Sequence, residues 1–270
     1  MKIGILYFCA GRYEVFWKSF YKSCEKFFVT DTEKHYFVFT DAKNIVYENE
    51  NSRIHKIYQE SLGWPLMSLM RFEVFLTIKK ELEQFDYLIF FNANLVFCKP
   101  ISLEAFFPVK NVNLLACQHA YYHNRKPSEF PYSRDAKSTA YIPINEGKYY
   151  VQGALQGGKT NYFIRAIEEM QKQVQTDLDN DVFAVWYDES HWNKYILDRT
   201  DVKILTPSYL YPEGKYFPFK PIIKIVDKGR HFGFDYLRGK RNTPESDFKL
   251  FFKDNYRKIM AKFFKQDYYK

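Results

Sequence analysis

The chain has 270 residues, a formal charge of +8 and a hydrophobic fraction of 46%, with 27 Phe and 23 Tyr supplying much of the apolar content. That is ample for one large packed domain and excludes a disordered or collagen-like chain. No run reaches the roughly 18–20 uninterrupted apolar residues that cross a bilayer, and Met1–Phe8 is too short for a signal peptide.

The positive charge points to an anionic partner such as a phosphate-bearing substrate or a membrane surface. No Arg/Gly-rich tract or nucleic-acid motif is present, which argues against nucleic acid. Cys9, Cys24, Cys98 and Cys117 show no metal-ligand spacing. They read as reduced, buried thiols of a cytoplasmic protein.

In chain order, Ile3–Phe8 reads as a buried strand and Val15–Phe28 as a helix, with Phe16, Phe20, Cys24 and Phe27 at helical spacing. His35–Thr40 and Ser52–Tyr58 are the second and third strands. Trp64–Phe85 is expected to form one long amphipathic helix, with Pro65 tolerated near its start. Tyr87–Phe91 is the fourth strand. The alternation predicts an α/β fold with a mostly parallel sheet. Ligands then bind beyond the carboxyl ends of the strands; Phe8, Asp41 and Asn92-Ala93-Asn94 all lie at such ends, so one cleft could collect them.

The stretch from His119 to Gly158 is rich in Tyr, Pro and Gly and poorly periodic. A loop of that length in a compact domain is commonly functional. Gly153 and Gly157-Gly158 are read there as tight turns. A helix is expected over Lys159–Asp177, followed by the polar cluster Trp186-Tyr187-Asp188-Glu189-Ser190-His191.

Two groups carry candidate chemistry. Asp188 and Glu189 are adjacent and so point in different directions on a helix. One can orient while the other serves an anomeric carbon as nucleophile or charge partner. A solvated acidic first turn would use the same residues. Lys220, Lys224, Lys228, Arg230 and His231 form a basic segment that could fold over a diphosphate and stabilise a leaving group; a solvated lysine face is the plainer use. Glu189-x-His191 alone is no metal signal. Beyond residue 244, Phe248, Phe252, Tyr256, Met260 and Phe263 recur at helical spacing among lysines. This predicts a basic amphipathic helix over 245–270, either packed on the body or peripheral to an anionic membrane through 248–270.

Several segments together resemble glycosyltransferase family 6, the family of the histo-blood-group A and B transferases and the α1,3-galactosyltransferase. The most specific is Trp186-Tyr187-Asp188-Glu189-Ser190-His191-Trp192-Asn193-Lys194-Tyr195. Ala140-Tyr141-Ile142-Pro143, Glu146-Gly147 through Gly157-Gly158, Asp86-Tyr87-Leu88 leading into Asn92-Ala93-Asn94, and Lys203–Leu210 support it by order and spacing.

The resemblance implies a GT-A fold over 1–244 and retaining transfer of Gal or GalNAc from a UDP-sugar to the 3-OH of a β-linked galactose, often a fucosylated one. It places Phe8, Ala10 and Tyr13 at the uracil, and Arg71 and Asp188 at the donor. It places Gln152 and Ala154 where Gal and GalNAc are told apart, and His119 and Trp186 at the acceptor. Glu189 becomes the nucleophile or acceptor-positioning carboxylate, and Lys228 the basic residue that reaches the diphosphate.

Asn92 and Asn94 stand where the family usually carries Asp-x-Asp. Two carboxylates there hold a divalent cation, and neutral amides bind Mn²⁺ or Mg²⁺ poorly. Bacterial-type members carry this replacement, so the expectation is transfer without a metal cofactor, the amides donating to the phosphates or the donor sugar. A family arginine in the C-terminal segment meets Phe234 here, leaving Arg230 or Arg238 to replace it. The lean at 152 and 154 is to GalNAc, because an amide at Gln152 suits an N-acetyl group.

Overall fold

The computed structural model describes residues 1–108 and 110–244; the helix expected over 245–270 lies outside them. The strands are β1 (Lys2–Phe8), β2 (Glu33–Thr40), β3 (Ile54–Tyr58), β4 (Tyr87–Asn92), β5 (Leu95–Phe97), β6 (Leu114–Gln118), β7 (Val151–Lys159), β8 (Val202–Leu205), β9 (Tyr211–Pro212) and β10 (Ile223–Ile225). The α-helices are α1 (Trp17–Phe27), α2 (Leu66–Leu69), α3 (Arg71–Leu76), α4 (Lys79–Leu82), α5 (Leu103–Phe106), α6 (Thr160–Asp179), α7 (Asp188–Ile196), α8 (Lys228–His231) and α9 (Phe234–Leu237).

Seven strands form one sheet in the order β3-β2-β1-β4-β7-β6-β8, and β5-β10-β9 make a small second sheet. Only β7 runs antiparallel to its large-sheet neighbours β4 and β6. This is the α/β, GT-A-type architecture expected above.

The central strands β1 and β4 are buried on both faces because they are almost wholly apolar. Side chains alternate across a strand, so Ile3, Ile5 and Tyr7 of β1 pack on one face with Trp17 and Phe20 of α1. Leu6 and Phe8 pack on the other with Phe72 and Phe75 of α3 and Phe163 of α6. Burying each such aromatic side chain contributes about 1.5–3 kcal/mol.

Three readings are corrected. The helix over 64–85 is three short helices, broken at Met70 and Ile78, whose backbones leave the helical region. Apolar spacing continues across the breaks, so periodicity hides them. Gly153, Gly157 and Gly158 lie inside β7, not in turns. A Cβ on Gly157 would sit 2.5 Å from the Leu88 carbonyl oxygen, and one on Gly158 2.3 Å from that of Asn113. Glycine is therefore required by neighbouring backbone. The loop after His119 is also more ordered than its composition suggests. Arg134 donates to the carbonyls of Pro127, Phe130, Ile142 and Pro143. Phe130, Tyr132, Ile142 and Tyr150 form a small core of their own.

Candidate active site

The carboxyl ends of β1 and β4 lie side by side, with Phe8 opposite Asn92. The buried Tyr7 hydroxyl donates to the Ala93 carbonyl at 2.9 Å and fixes the turn between the two asparagines. Asp41, at the end of β2, accepts from Gly11 N–H at 2.7 Å and secures the chain leaving β1. The Phe8 ring is core, stacked 5.8 Å from Phe39, and Ala10 is buried. The partly exposed aromatic ring at this end is Tyr13.

The two amides have different surroundings. Asn92 is partly exposed at the strand end. Asn94 is buried, its Nδ2 donates to the Val226 carbonyl at 2.7 Å, and its Oδ1 is enclosed without a partner. The expected donation from Asn94 to phosphate is thus replaced by one to main chain. A hard divalent cation needs several oxygen ligands, carboxylates foremost. Among the described residues no group of three His, Cys, Asp or Glu side chains is placed to hold one. These residues do not fit the metal that Asp-x-Asp would bind.

The carboxylates enter from α7. Tyr187, immediately before it, has φ 54°, a backbone conformation unfavourable for a bulky side chain, and it turns the helix start toward β7. Asn193 locks the approach: it accepts from Val151 N–H at 3.0 Å and donates to the carbonyls of Val151 and Glu189, each at 2.8 Å. Asp188 and Glu189 then diverge, as adjacency requires. Asp188 is buried and pairs with Arg71 of α3, whose guanidinium lies 4.1 Å over the Phe90 ring. Burial pushes the Asp188 carboxyl up, and Arg71 opposes that push.

Glu189 turns to β7. One oxygen accepts from the Tyr150 hydroxyl, the other from Gly153 N–H at 2.8 Å. Desolvation raises its carboxyl to about 7 despite both hydrogen bonds. Gly153 is the contact point for both acids: a Cβ there would lie 2.9 Å from Glu189 Cβ and 3.4 Å from Asp188 Oδ2.

Cations gather around Lys228. Lys228, at the start of α8, lies 5.3 Å over the Tyr13 ring. Burial, then Arg71 and Arg238, lower its ammonium to about 8. Arg238, following α9, lies 5.4 Å over the Trp64 ring. Arg71 already has Asp188 as its partner, whereas Lys228 and Arg238 repel unless an anion comes between them. Arg230 stands apart: its side chain is exposed and lies beside the Gly214 turn. Arg238 is therefore the arginine that completes the cluster.

On the far side, His119 Nδ1 accepts from Tyr121 N–H at 3.2 Å, which assigns its proton to Nε2. Burial lowers the ring to about 4, so it is a neutral donor. Trp186 is 48% exposed beside Glu189. Gln152 presents a buried, unpartnered Oε1, and Ala154 is buried. His191, by contrast, is fully buried against Asp177 on the back of α7, away from the acids. An open depression of about 680 Å³ lined by Met1, Asp86, Tyr87 and Thr160 lies at the opposite, amino end of the strands and contains none of these groups.

Sequence reasoning missed Tyr150 and Gly153. Tyr150 was one tyrosine among many, and Gly153 read as a turn. Trp64 was noted only as a helix entry.

The family model for glycosyltransferase family 6 matches residues 1–229. The chain belongs to this family. The family 6 chain is similar to the O-antigen biosynthesis glycosyltransferase WbnI of Escherichia coli, 35% identical over 86% of this chain and 98% of that protein. It is similar to the human globoside α-1,3-N-acetylgalactosaminyltransferase 1, 29% identical over 84% of this chain and 65% of that protein. It is also similar to the rat histo-blood group ABO system transferase 1, 28% identical over 78% of this chain and 61% of that protein. This chain thus spans somewhat under two thirds of the length of these mammalian relatives. Among the described residues no helix is long and apolar enough to cross a membrane.

Proposed function

We propose that this family 6 chain is a retaining hexosyltransferase that moves GalNAc from UDP-GalNAc, in α1,3 linkage, to the galactose of a fucosylated β-galactoside, without a divalent metal. The observation that carries the reading is a buried carboxylate, Glu189, adjacent to Asp188, whose partner Arg71 acts with Arg238 on Lys228. A nucleotide diphosphate leaving group needs the cations, and a reacting anomeric centre needs the carboxylate.

In this reading the uracil lies by Tyr13 and the diphosphate among the three cations. The bond from the anomeric carbon to the β-phosphate oxygen breaks, and charge grows on UDP, where the cations stabilise it. The new bond forms from the acceptor 3-oxygen, whose proton passes to the departing UDP. Covalent catalysis through Glu189 and front-side attack both leave an α linkage, and both use Glu189 ionised. Trp186 and His119 Nε2–H meet the acceptor. The choice of GalNAc rests on Gln152 Oε1, a buried acceptor suited to an N-acetyl N–H. The absence of metal rests on Asn92 and Asn94.

UDP release from UDP-GalNAc and UDP-Gal, each with a fucosylated galactoside and excess EDTA, tests the proposal. Acceptor-dependent release is expected, faster with UDP-GalNAc. Faster turnover of UDP-Gal overturns the donor assignment. Release that ignores the acceptor means a hydrolase, and binding without release means a sugar-binding protein.

A further inference from the structure

Asn94 satisfies both main-chain groups of Val226. Val226 N–H donates to the Asn94 carbonyl at 2.8 Å, and Asn94 Nδ2 donates to the Val226 carbonyl at 2.7 Å. The first bond continues the antiparallel ladder of β5 and β10, in which Leu95 faces Ile225. The second requires a side-chain N–H, because a carbonyl oxygen can only accept. Two residues further on is Lys228. Between them, Asp227 N–H donates to Glu213 at 2.9 Å, and Asp227 Oδ1 caps α8 by accepting from Arg230 N–H. Besides the main-chain ladder, the Asn94 amide is the side-chain contact that ties the segment just before Lys228 to the end of β4.

We propose that Asn94 is a positioning residue: its amide clips the β10 segment to the strand end and so holds Lys228 at the diphosphate before any nucleotide arrives. This rests on the transferase reading and gives the second asparagine a task other than phosphate contact. An aspartate at 94 cannot perform it. Its ionised oxygen would face the Val226 carbonyl at 2.7 Å, two acceptors with no proton between them. Restoring an aspartate at 94 therefore releases Lys228 instead of rebuilding a metal site.

The test is a double-mutant cycle on UDP binding by calorimetry, using wild type, N94D, K228A and N94D/K228A, with and without Mn²⁺. We expect N94D to weaken UDP on the order of tenfold. In the K228A background the same change should have an effect within about twofold, because contacts in one chain of cause are not additive. Mn²⁺ should not restore N94D. Additive losses, or rescue by Mn²⁺, would overturn the assignment. Should N94D fail to fold, amide exchange of the wild-type chain without UDP decides. Slow exchange of the Asn94 side-chain amide protons is expected, and exchange at the rate of an unprotected side chain refutes the clip. A wild-type chain that binds no UDP sinks the transferase reading, and the exchange result still reports on the clip.

Discussion

The Tyr150 hydroxyl donates to Glu189, and it is the only side-chain hydroxyl that does so among the described residues. It counters the desolvation that pushes this carboxyl up, as does Gly153 N–H. Around Glu189 stand Asp188, which pushes its pKa further up, and the rings of Tyr122 and Tyr132 against Tyr150. Tyr150→Phe should move the acidic limb of kcat/KM to higher pH and lower kcat by about ten- to a hundredfold. An unmoved limb would mean that Tyr150 only packs.

Glu189→Gln keeps shape and removes charge. Turnover should fall at least about a hundredfold with UDP affinity nearly intact. Its effect on stability has a defined sign. A carboxyl raised from 4.5 to about 7 in the folded chain holds its proton more tightly there. The stability this confers is full below the unfolded value and lost as pH rises through about 7. Gln should therefore raise Tm relative to wild type more at pH 8 than at pH 5. A Tm difference independent of pH would put Glu189 in ordinary solvent.

Free-enzyme activity should be bell-shaped in pH. Ionised Glu189 appears above about 7, and the Lys228 ammonium is lost above about 8. Lys228→Arg should abolish the alkaline limb, because guanidinium does not deprotonate in this range. Lys228→Ala should weaken UDP and slow the chemistry together. A variant that changes only acceptor affinity would remove Lys228 from the diphosphate.

Gly153→Ala adds a methyl 2.9 Å from Glu189 Cβ and 3.2 Å from Glu189 Cα. The clash falls partly on the backbone of α7, so relief must move the carboxylate. Overpacking of this kind costs about 1–3 kcal/mol. Turnover should fall more steeply than stability, with thermal melts and single-turnover rates measured on one preparation. Wild-type turnover would show that α7 tolerates displacement.

The first four strands were legible, three of them as nearly continuous apolar runs, whereas β7, with two Gln and three Gly, was not; Asp188 and Glu189 were legible because their motif is dense in polar groups. Arg71 was found only through resemblance. Nothing local announces that it will be buried beside an aspartate 117 positions later. Asn94 was legible as a strand-end amide but not as a clip, since its partner Val226 is an ordinary valine 132 positions away. Gly153 was misread because glycine marks both a turn and a close approach, and only the packing of α7 on β7 tells them apart.

The antiparallel pairing of β4 with β7 has Phe91 facing Leu155. Gln152 and Ala154 lie further along β7. The side chains proposed to sense the sugar thus belong to a single strand, while Lys228 and Arg238 belong to a segment added after it. On the proposed reading, substitutions at 152 and 154 would change which hexose is admitted while leaving the Lys228 and Arg238 side of the site in place.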